Sequence, residues 1–403
     1  MLWFQTLFIM DKIIFETYQK SEHRNSIYDQ IDEEICKHFE ILFNENSLDY
    51  ELRDLETDRR VDFNLSSLLI HLNREKIKAT RQTFKTYLES HFVKRYNPIQ
   101  NYFKKLRWNG KDNIKRFSSY VHTDDNLLFY HHLKKWAVRA VKTVFDDNEI
   151  NKHCLILANG EQNAGKSTYL EYLNPNILRP YYYTNIGVGK DDHIKLCKAF
   201  IINMEELDVL GRRDINSTKA LISQKYVNVR LPYAEKATLM NRICSFVGST
   251  NKLEFLNDET GSVRWIVFDV IGQLDWSYSK EFSIDDFWAE AYHIYLNEPS
   301  FYSDLTVDEV QENEKRNERY TIQTAESEYI LRFYEQSEDV GDFRTPTDIV
   351  SELSVMGQKL NPMLLGRSLK KYGFVRVKHP KRQVYGYLAR KKFGESPWGY
   401  YDI

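Results

Sequence analysis

The stretch GEQNAGKST, Gly160 to Thr168, carries the residue types that hold a phosphate, and Gly160 to Ser167 fits G-x-x-x-x-G-K-[ST] without a mismatch. In such a loop the glycines let backbone N–H groups curl around an anion. The N-terminus of the following helix adds positive potential, and the lysine reaches the outer phosphates. Gly160, Glu161, Gln162, Asn163, Ala164, Gly165, Lys166, Ser167 and Thr168 are therefore the candidate nucleotide-binding residues. Lys166 sits at the reacting end, and Ser167 is a candidate ligand for Mg²⁺. The motif needs a strand before it and a helix after it, and CLILAN and YLEYL supply both.

A phosphate loop also needs acids near the metal and the attacking water. The apolar run AFIINMEE ends in Glu205 and Glu206, 39 and 40 residues after Lys166. Two glutamates at a strand end are often only solvated. Beside a phosphate loop, Glu205 reads as a magnesium ligand and Glu206 as the group that polarises water. The next apolar run, ICSFVGSTN, ends at Asn251, at the tip of a strand expected to lie between the other two and so placed to contact the γ-phosphate or the water. An asparagine at a strand end is also a common turn former. Arg264, thirteen residues further on, opens the run RWIVFDV and is either an ordinary surface residue or an arginine finger offered to a neighbouring subunit.

These residues need a scaffold. Short apolar runs alternate with helical patterns from Cys154 onward, which predicts a mostly parallel sheet with helices on its faces. Upstream, SSLLIHLNRE and TRQTFKTYLESHF read as helices within residues 65–92. Asn97-Pro98 reads as an N-cap followed by proline at the first helical position. A long helix is expected over residues 125–145. The expected organisation is a helical N-terminal region over 1–95, a helical lead-in over 96–150, an ATPase core over 151–275, a helical linker or lid over 276–340 and a compact basic unit over 341–403.

Composition bounds the rest. The chain has 403 residues, 42% hydrophobic and 28% charged, with a formal net charge of -2, so any nucleic-acid surface must be local. Such an asymmetry exists: Met356 to Lys392 holds eleven Lys and Arg and no Asp or Glu, whereas Asp304 to Glu318 is rich in carboxylates. Cys36, Cys154, Cys197 and Cys244 are scattered without CxxC spacing, which argues against a disulfide framework or a structural zinc and for a reducing cytoplasmic setting. The opening LWFQTLFIM is too short to span a bilayer and reads as a buried element or the remnant of a longer upstream protein.

Taken together, YNPIQNYFKKLRWNGKDNIKRF, GEQNAGKST, FIINMEELDVL, VNVRLPYAEKATLMNR and GSTNKLEFLNDETGSVRWIVFDV resemble superfamily-3 helicases of the AAA+ class, and more closely the virulence-associated protein E family of phages and mobile elements. The resemblance covers about residues 96 to 270. It implies an AAA+ type P-loop core that hydrolyses ATP with Mg²⁺ at the subunit boundaries of a homo-oligomeric, hexamer-type ring. Lys166 and Ser167 would form Walker A, Glu205 and Glu206 Walker B, Asn251 sensor 1 and Arg264 the trans-acting finger. Many relatives place Glu where Asn203 stands and a second arginine where Val263 stands, which makes Arg264 the sole local candidate for the finger. The resemblance also implies a β-hairpin between Walker B and sensor 1 that reaches single-stranded DNA in a central channel. Arg230, Tyr233 and Lys236 would supply its charge and stacking face, with Lys225 a weaker candidate; the alternative is a plain surface hairpin.

The basic C-terminal stretch reads as two helices, TPTDIVSELS and NPMLLGRSLKKYGF, followed by two strands around HPKR. That order suggests a winged-helix domain. Lys370, Lys371, Arg376, Lys378, Lys381 and Arg382 would neutralise phosphates of DNA, duplex included, or else form a solvated face on a protein-binding module. The favoured function is an ATP-driven DNA translocase, helicase or replication initiator; the alternative is a regulatory or defence ATPase that assembles on DNA without unwinding it. A small-molecule P-loop kinase would explain neither the arginine, the hairpin nor the basic terminus.

Overall fold

The computed structural model describes residues 26–161, 163–187, 189–205, 212–230, 236–252, 254–256, 263–321, 324–354, 359–379, 381 and 383–392. Gln162, Glu206, Tyr233 and Arg382, and the opening LWFQTLFIM, lie outside the described residues.

The N-terminal unit holds helix α1 (Ile27–Ile35), strands β1 (Phe39–Asn44), β2 (Asp49–Asp54) and β3 (Arg60–Asp62), helices α2 (Leu65–Arg74) and α3 (Arg81–Glu89), and strand β4 (Lys94–Tyr96). Its strands form one sheet in the order β3-β2-β1-β4. This region is therefore mixed α/β, where the sequence suggested helices alone. The strands are short, FEILFN and DYELRD being six residues each and β3 three. Their turn also lacks glycine: Leu48 takes the left-handed backbone at φ 59°, and Asn44 Oδ1 accepts the Asn46 and Ser47 N–H groups at 2.9 and 3.0 Å. The two expected helices appear as α2 and α3.

The central unit begins with α4 (Pro98–Lys105), α5 (Asn113–Ser118) and α6 (Asn126–Phe145). Asn97 caps α4 by accepting from Gln100 N, with Pro98 in the first turn, and Asp125 caps α6 by accepting from Leu128 N. Then follow β5 (Cys154–Ala158), α7 (Lys166–Tyr172), β6 (Tyr182–Thr184), α8 (Lys190–Lys198), β7 (Ile201–Met204), α9 (Arg212–Ser223), the hairpin strands β8 (Tyr226–Val229) and β9 (Thr238–Asn241), β10 (Ser245–Thr250) and β11 (Trp265–Asp269). The main sheet has the order β11-β5-β10-β7-β6, with every neighbouring pair parallel.

Both faces of this sheet are covered, so β5 and β10 are buried along their whole length. Alternation along β5 sends Leu155 and Leu157 into a core with Phe103, Trp136 and Trp288. Ile156 and Ala158 point to the opposite core with Leu196, Leu221, Ile222 and Val267. Trp136 Nε1 donates to Phe246 O at 3.0 Å, fixing α6 across the sheet.

The stretch read as a linker or lid is built into this body. Helices α10 (Tyr278–Glu281), α11 (Ile284–Asn297) and α12 (Val307–Asn317) follow β11. Phe287, Trp288, Ala291 and Ile294 of α11 join the core of α4 to α6. Buried Glu290 accepts the Asn113 and Ile114 N–H groups at 2.5 and 2.9 Å. Asn313 and Asn317 of α12 both donate to Trp265 O. An amphipathic pattern reports an apolar face but not the element that covers it, hence the difference.

The C-terminal unit comprises α13 (Ala325–Phe333), β12 (Tyr334–Gln336), β13 (Phe343–Arg344), α14 (Pro346–Ser354), α15 (Pro362–Lys371), β14 (Arg376–Lys378) and β15 (Tyr385–Lys391). It has its own core, to which α13 contributes Ile330 and Phe333 from upstream of Gly341. β15 pairs antiparallel with β12, β13 and β14. Among the described residues no helix is long and apolar enough to cross a membrane.

Candidate nucleotide site

The loop that carries the GEQNAGKST motif leaves β5 at Asn159 and enters α7 at Lys166. Among the described residues of the loop, Asn163 at φ 62° and Gly165 at φ 90° take the left-handed backbone. Glycine is required at the second, because a Cβ there would come within 2.7 Å of the Trp276 ring. The Asn159 side chain anchors the loop base: its Oδ1 accepts Glu161 N at 2.6 Å, and its Nδ2 donates to Val270 O at 3.0 Å.

Three strand ends converge on a cavity of about 470 Å³ lined by Asn163 to Thr168, Glu205, Ser249 to Asn251 and Trp276. That size is in the range of small-molecule sites. The Lys166 ammonium is buried and donates to Asn251 Oδ1 at 3.0 Å, Glu161 O at 3.2 Å and Asn159 O at 3.4 Å. Burial pulls its pKa below the ordinary lysine value, with Glu161 opposing that shift. Ser167 Oγ lies 3.0 Å from Ser249 Oγ. Glu205 follows β7, where Asn203 Nδ2 donates to its Oε1 at 3.2 Å and Asn185 Oδ1 accepts its N–H at 2.9 Å.

β10 lies between β5 and β7, so Asn251 stands between the lysine and the acid. Lys166, Ser167, Glu205 and Asn251 are thus brought together on one rim. Ser167, Ser249 and Glu205 present oxygen donors only, the donor chemistry that suits Mg²⁺.

Arg264 is elsewhere. Its carbonyl accepts Cys154 N at 2.8 Å, at the start of β5, and its Nε donates to Ser223 Oγ at 2.6 Å. The five residues of β5 separate it from the loop of its own chain, about 16 Å at strand rise. It does not face the cavity of its own chain.

The hairpin β8-β9 pairs antiparallel from Tyr226↔Asn241 to Val229↔Thr238. Arg230 and Lys236 are exposed beyond its far end, and Lys225 lies over the Tyr226 ring at its root. In the C-terminal unit Lys370, Lys371, Arg376, Lys378 and Lys381 are all exposed, along the last turn of α15, β14 and the turn that follows. Arg376 lies over the Tyr385 ring at 4.7 Å.

Sequence reasoning misses Ser249 and Trp276. The Ser-Thr-Asn ending of β10 holds a signal for Ser249. Trp276 reaches the loop 110 residues after Lys166 through the tertiary fold alone, and no spacing rule points to it.

Among solved structures, the chain is similar to the apo structure of the NrS-1 C-terminal region (305–718), with 12% identity and a TM-score of 0.49, covering 91% of this chain and 100% of that one. A form-A apo structure of the same region has 13% identity, a TM-score of 0.47 and coverage of 89% and 98%. No curated protein matches the chain. The sequence profile of the virulence-associated protein E-like domain matches residues 103–322, more than half of the chain and the whole of the cavity described above. The chain belongs to the virulence-associated protein E-like family.

Proposed function

We propose that this protein is an AAA+ type P-loop ATPase that acts on DNA, as a translocase, helicase or replication initiator of a phage or mobile element. The observation that carries the reading is the convergence of Lys166, Ser167, Glu205 and Asn251 on one cavity rim from three separate strand ends. Lys166 would bind the outer phosphates of ATP, and Asn251 would orient the γ-phosphate or the water. Ser167 and Glu205 would hold Mg²⁺, which when bound neutralises phosphate charge. Glu206, the residue after Glu205, would polarise the water.

The distance of Arg264 from the loop of its own chain supports hydrolysis at a subunit boundary, with the arginine reaching a neighbour's nucleotide in a hexamer-type ring. Exposed Arg230 and Lys236 support a hairpin that contacts single-stranded DNA. Helices α14 and α15 followed by the basic strands β14 and β15 support a winged-helix reading of the C-terminal unit, with Lys370, Lys371, Arg376, Lys378 and Lys381 toward phosphates.

Steady-state ATPase assays test this. Lys166→Ala abolishes turnover, and Glu206→Gln retains bound ATP while losing turnover. Mixing Lys166→Ala with Arg264→Ala subunits, each inactive alone, restores part of the activity. Full ATPase activity in Lys166→Ala would sink the reading, and absence of recovery at every mixing ratio would remove the shared site.

A further inference from the structure

Trp276 lines the cavity without a role in the phosphate chemistry. After β11 the chain runs back beside the phosphate loop. Asn159 Nδ2 donates to Gly272 O at 3.3 Å as well as to Val270 O, and Leu274 N donates to Ala164 O at 3.3 Å. Asp275 N donates to Tyr120 O at 3.0 Å, which pins the segment on its outer side. The Trp276 indole is thereby laid against Gly165 and runs near-parallel to Tyr278, with ring centroids 6.2 Å apart and planes at 23°.

Trp276 nevertheless keeps 46% of its surface exposed, while Trp136, Trp265 and Trp288 are fully buried. A half-exposed indole at the lip of a polar cavity is a stacking surface for a flat ligand. Its position relative to the strand order sets which part of a ligand it meets. In β11-β5-β10-β7, Asn251 and Glu205 lie on one side of the phosphate-loop strand and the segment after β11 on the other. Lys166 is turned toward the Asn251 side. Outer phosphates held there direct the remainder of the nucleotide toward the Trp276 side.

We propose that Trp276 is the stacking wall for the base of a bound purine nucleoside triphosphate. The assignment rests on the nucleotide reading given above and extends it from the phosphates to the base. Stacking recognises the face of a base and not its edge, and the two-ring purine face overlaps an indole more fully than a pyrimidine does. The site therefore ranks purine above pyrimidine nucleotides.

Calorimetric titration with ATP, CTP and inorganic tripolyphosphate tests this in the full chain. Trp276→Ala is expected to weaken ATP about tenfold or more, to leave tripolyphosphate unchanged and to narrow the ATP-to-CTP preference; Trp276→Phe retains most of the ATP affinity. Equal weakening of ATP and tripolyphosphate would mean that Trp276 props the loop, and unchanged ATP affinity would mean that the base lies elsewhere; either overturns the assignment. A wild-type chain that binds neither ATP nor tripolyphosphate overturns the nucleotide reading itself, a result distinct from both.

Discussion

At the scale of single residues, Lys166 and Asn251 form the hydrogen bond that most directly joins two strand ends, 3.0 Å long. In the proposed reading, Asn251→Ala removes the group that orients the γ-phosphate or the water while leaving the loop in place. It is expected to lower kcat by about a hundredfold with a smaller effect on ATP binding, read by comparing turnover with equilibrium titration. Two histidines outside the site predict the response to acid. Burial holds the pKa of His132 down to about 3 and that of His153 down to about 2, and each has a buried Nδ1 without a hydrogen-bond partner among the described residues. Both are depressed below the unfolded value of about 6.5, so the unfolded chain binds protons that the folded chain refuses. Their contribution to stability is complete above that value and is lost as pH falls from about 6.5 toward 3. Melting temperatures measured from pH 7.5 to 5 should fall. A His132→Phe, His153→Leu double variant should show a shallower fall.

At the scale of elements, the β8-β9 hairpin is tied in place by a buried arginine that has no salt-bridge partner among the described residues. Arg242 is fully buried. It donates to Cys244 O and Leu221 O, each at 3.2 Å, and also to Ile222 O and Asn151 O. One guanidinium thus ties the end of α9, the chain entering β10 and the loop before β5. Arg242→Met keeps the apolar stem but strands those carbonyls, a loss on the order of 3 kcal/mol, visible as a lower urea midpoint at unchanged slope. The hairpin tip is tested separately. Arg230→Ala with Lys236→Ala should weaken single-stranded DNA binding and make the salt slope shallower by about 1.4, or about 0.7 for each phosphate no longer neutralised.

At the scale of the whole molecule, Arg264 and the GEQNAGKST loop sit at opposite ends of β5, so a complete site requires two chains in the proposed reading. Mass measurement with and without ATP and single-stranded DNA should show nucleotide- or DNA-dependent oligomers, and a monomer under every condition would contradict the ring. Strand displacement on a forked duplex separates motor from assembly switch: ATPase stimulation by single strands without displacement favours the switch.

The motif-bearing stretch was the most legible part of the chain. GEQNAGKST between CLILAN and YLEYL, and the apolar runs before Glu205, Asn251 and Arg264, already specify a parallel sheet with polar residues at strand ends, because buried central strands must be continuously apolar and their ends must turn. The cap at Asn97 was equally readable, since capping is a local hydrogen bond. The N-terminal sheet was not, because its strands are short and its turn uses Leu48 in place of glycine. Nor was the integration of α11, whose apolar face is covered by helices more than a hundred residues upstream. Sequence by itself determined which residue types line the cavity rim, Lys166, Ser167, Glu205 and Asn251, because these follow from residue type and local order. The strand order puts β10 between β5 and β7, the place expected for the strand that ends at Asn251, and Arg264 at the far end of β5 from its own loop, also as expected; tertiary structure alone decided that Trp276 lies beside the loop on the other flank. That relation depends on long-range packing, which no local spacing encodes.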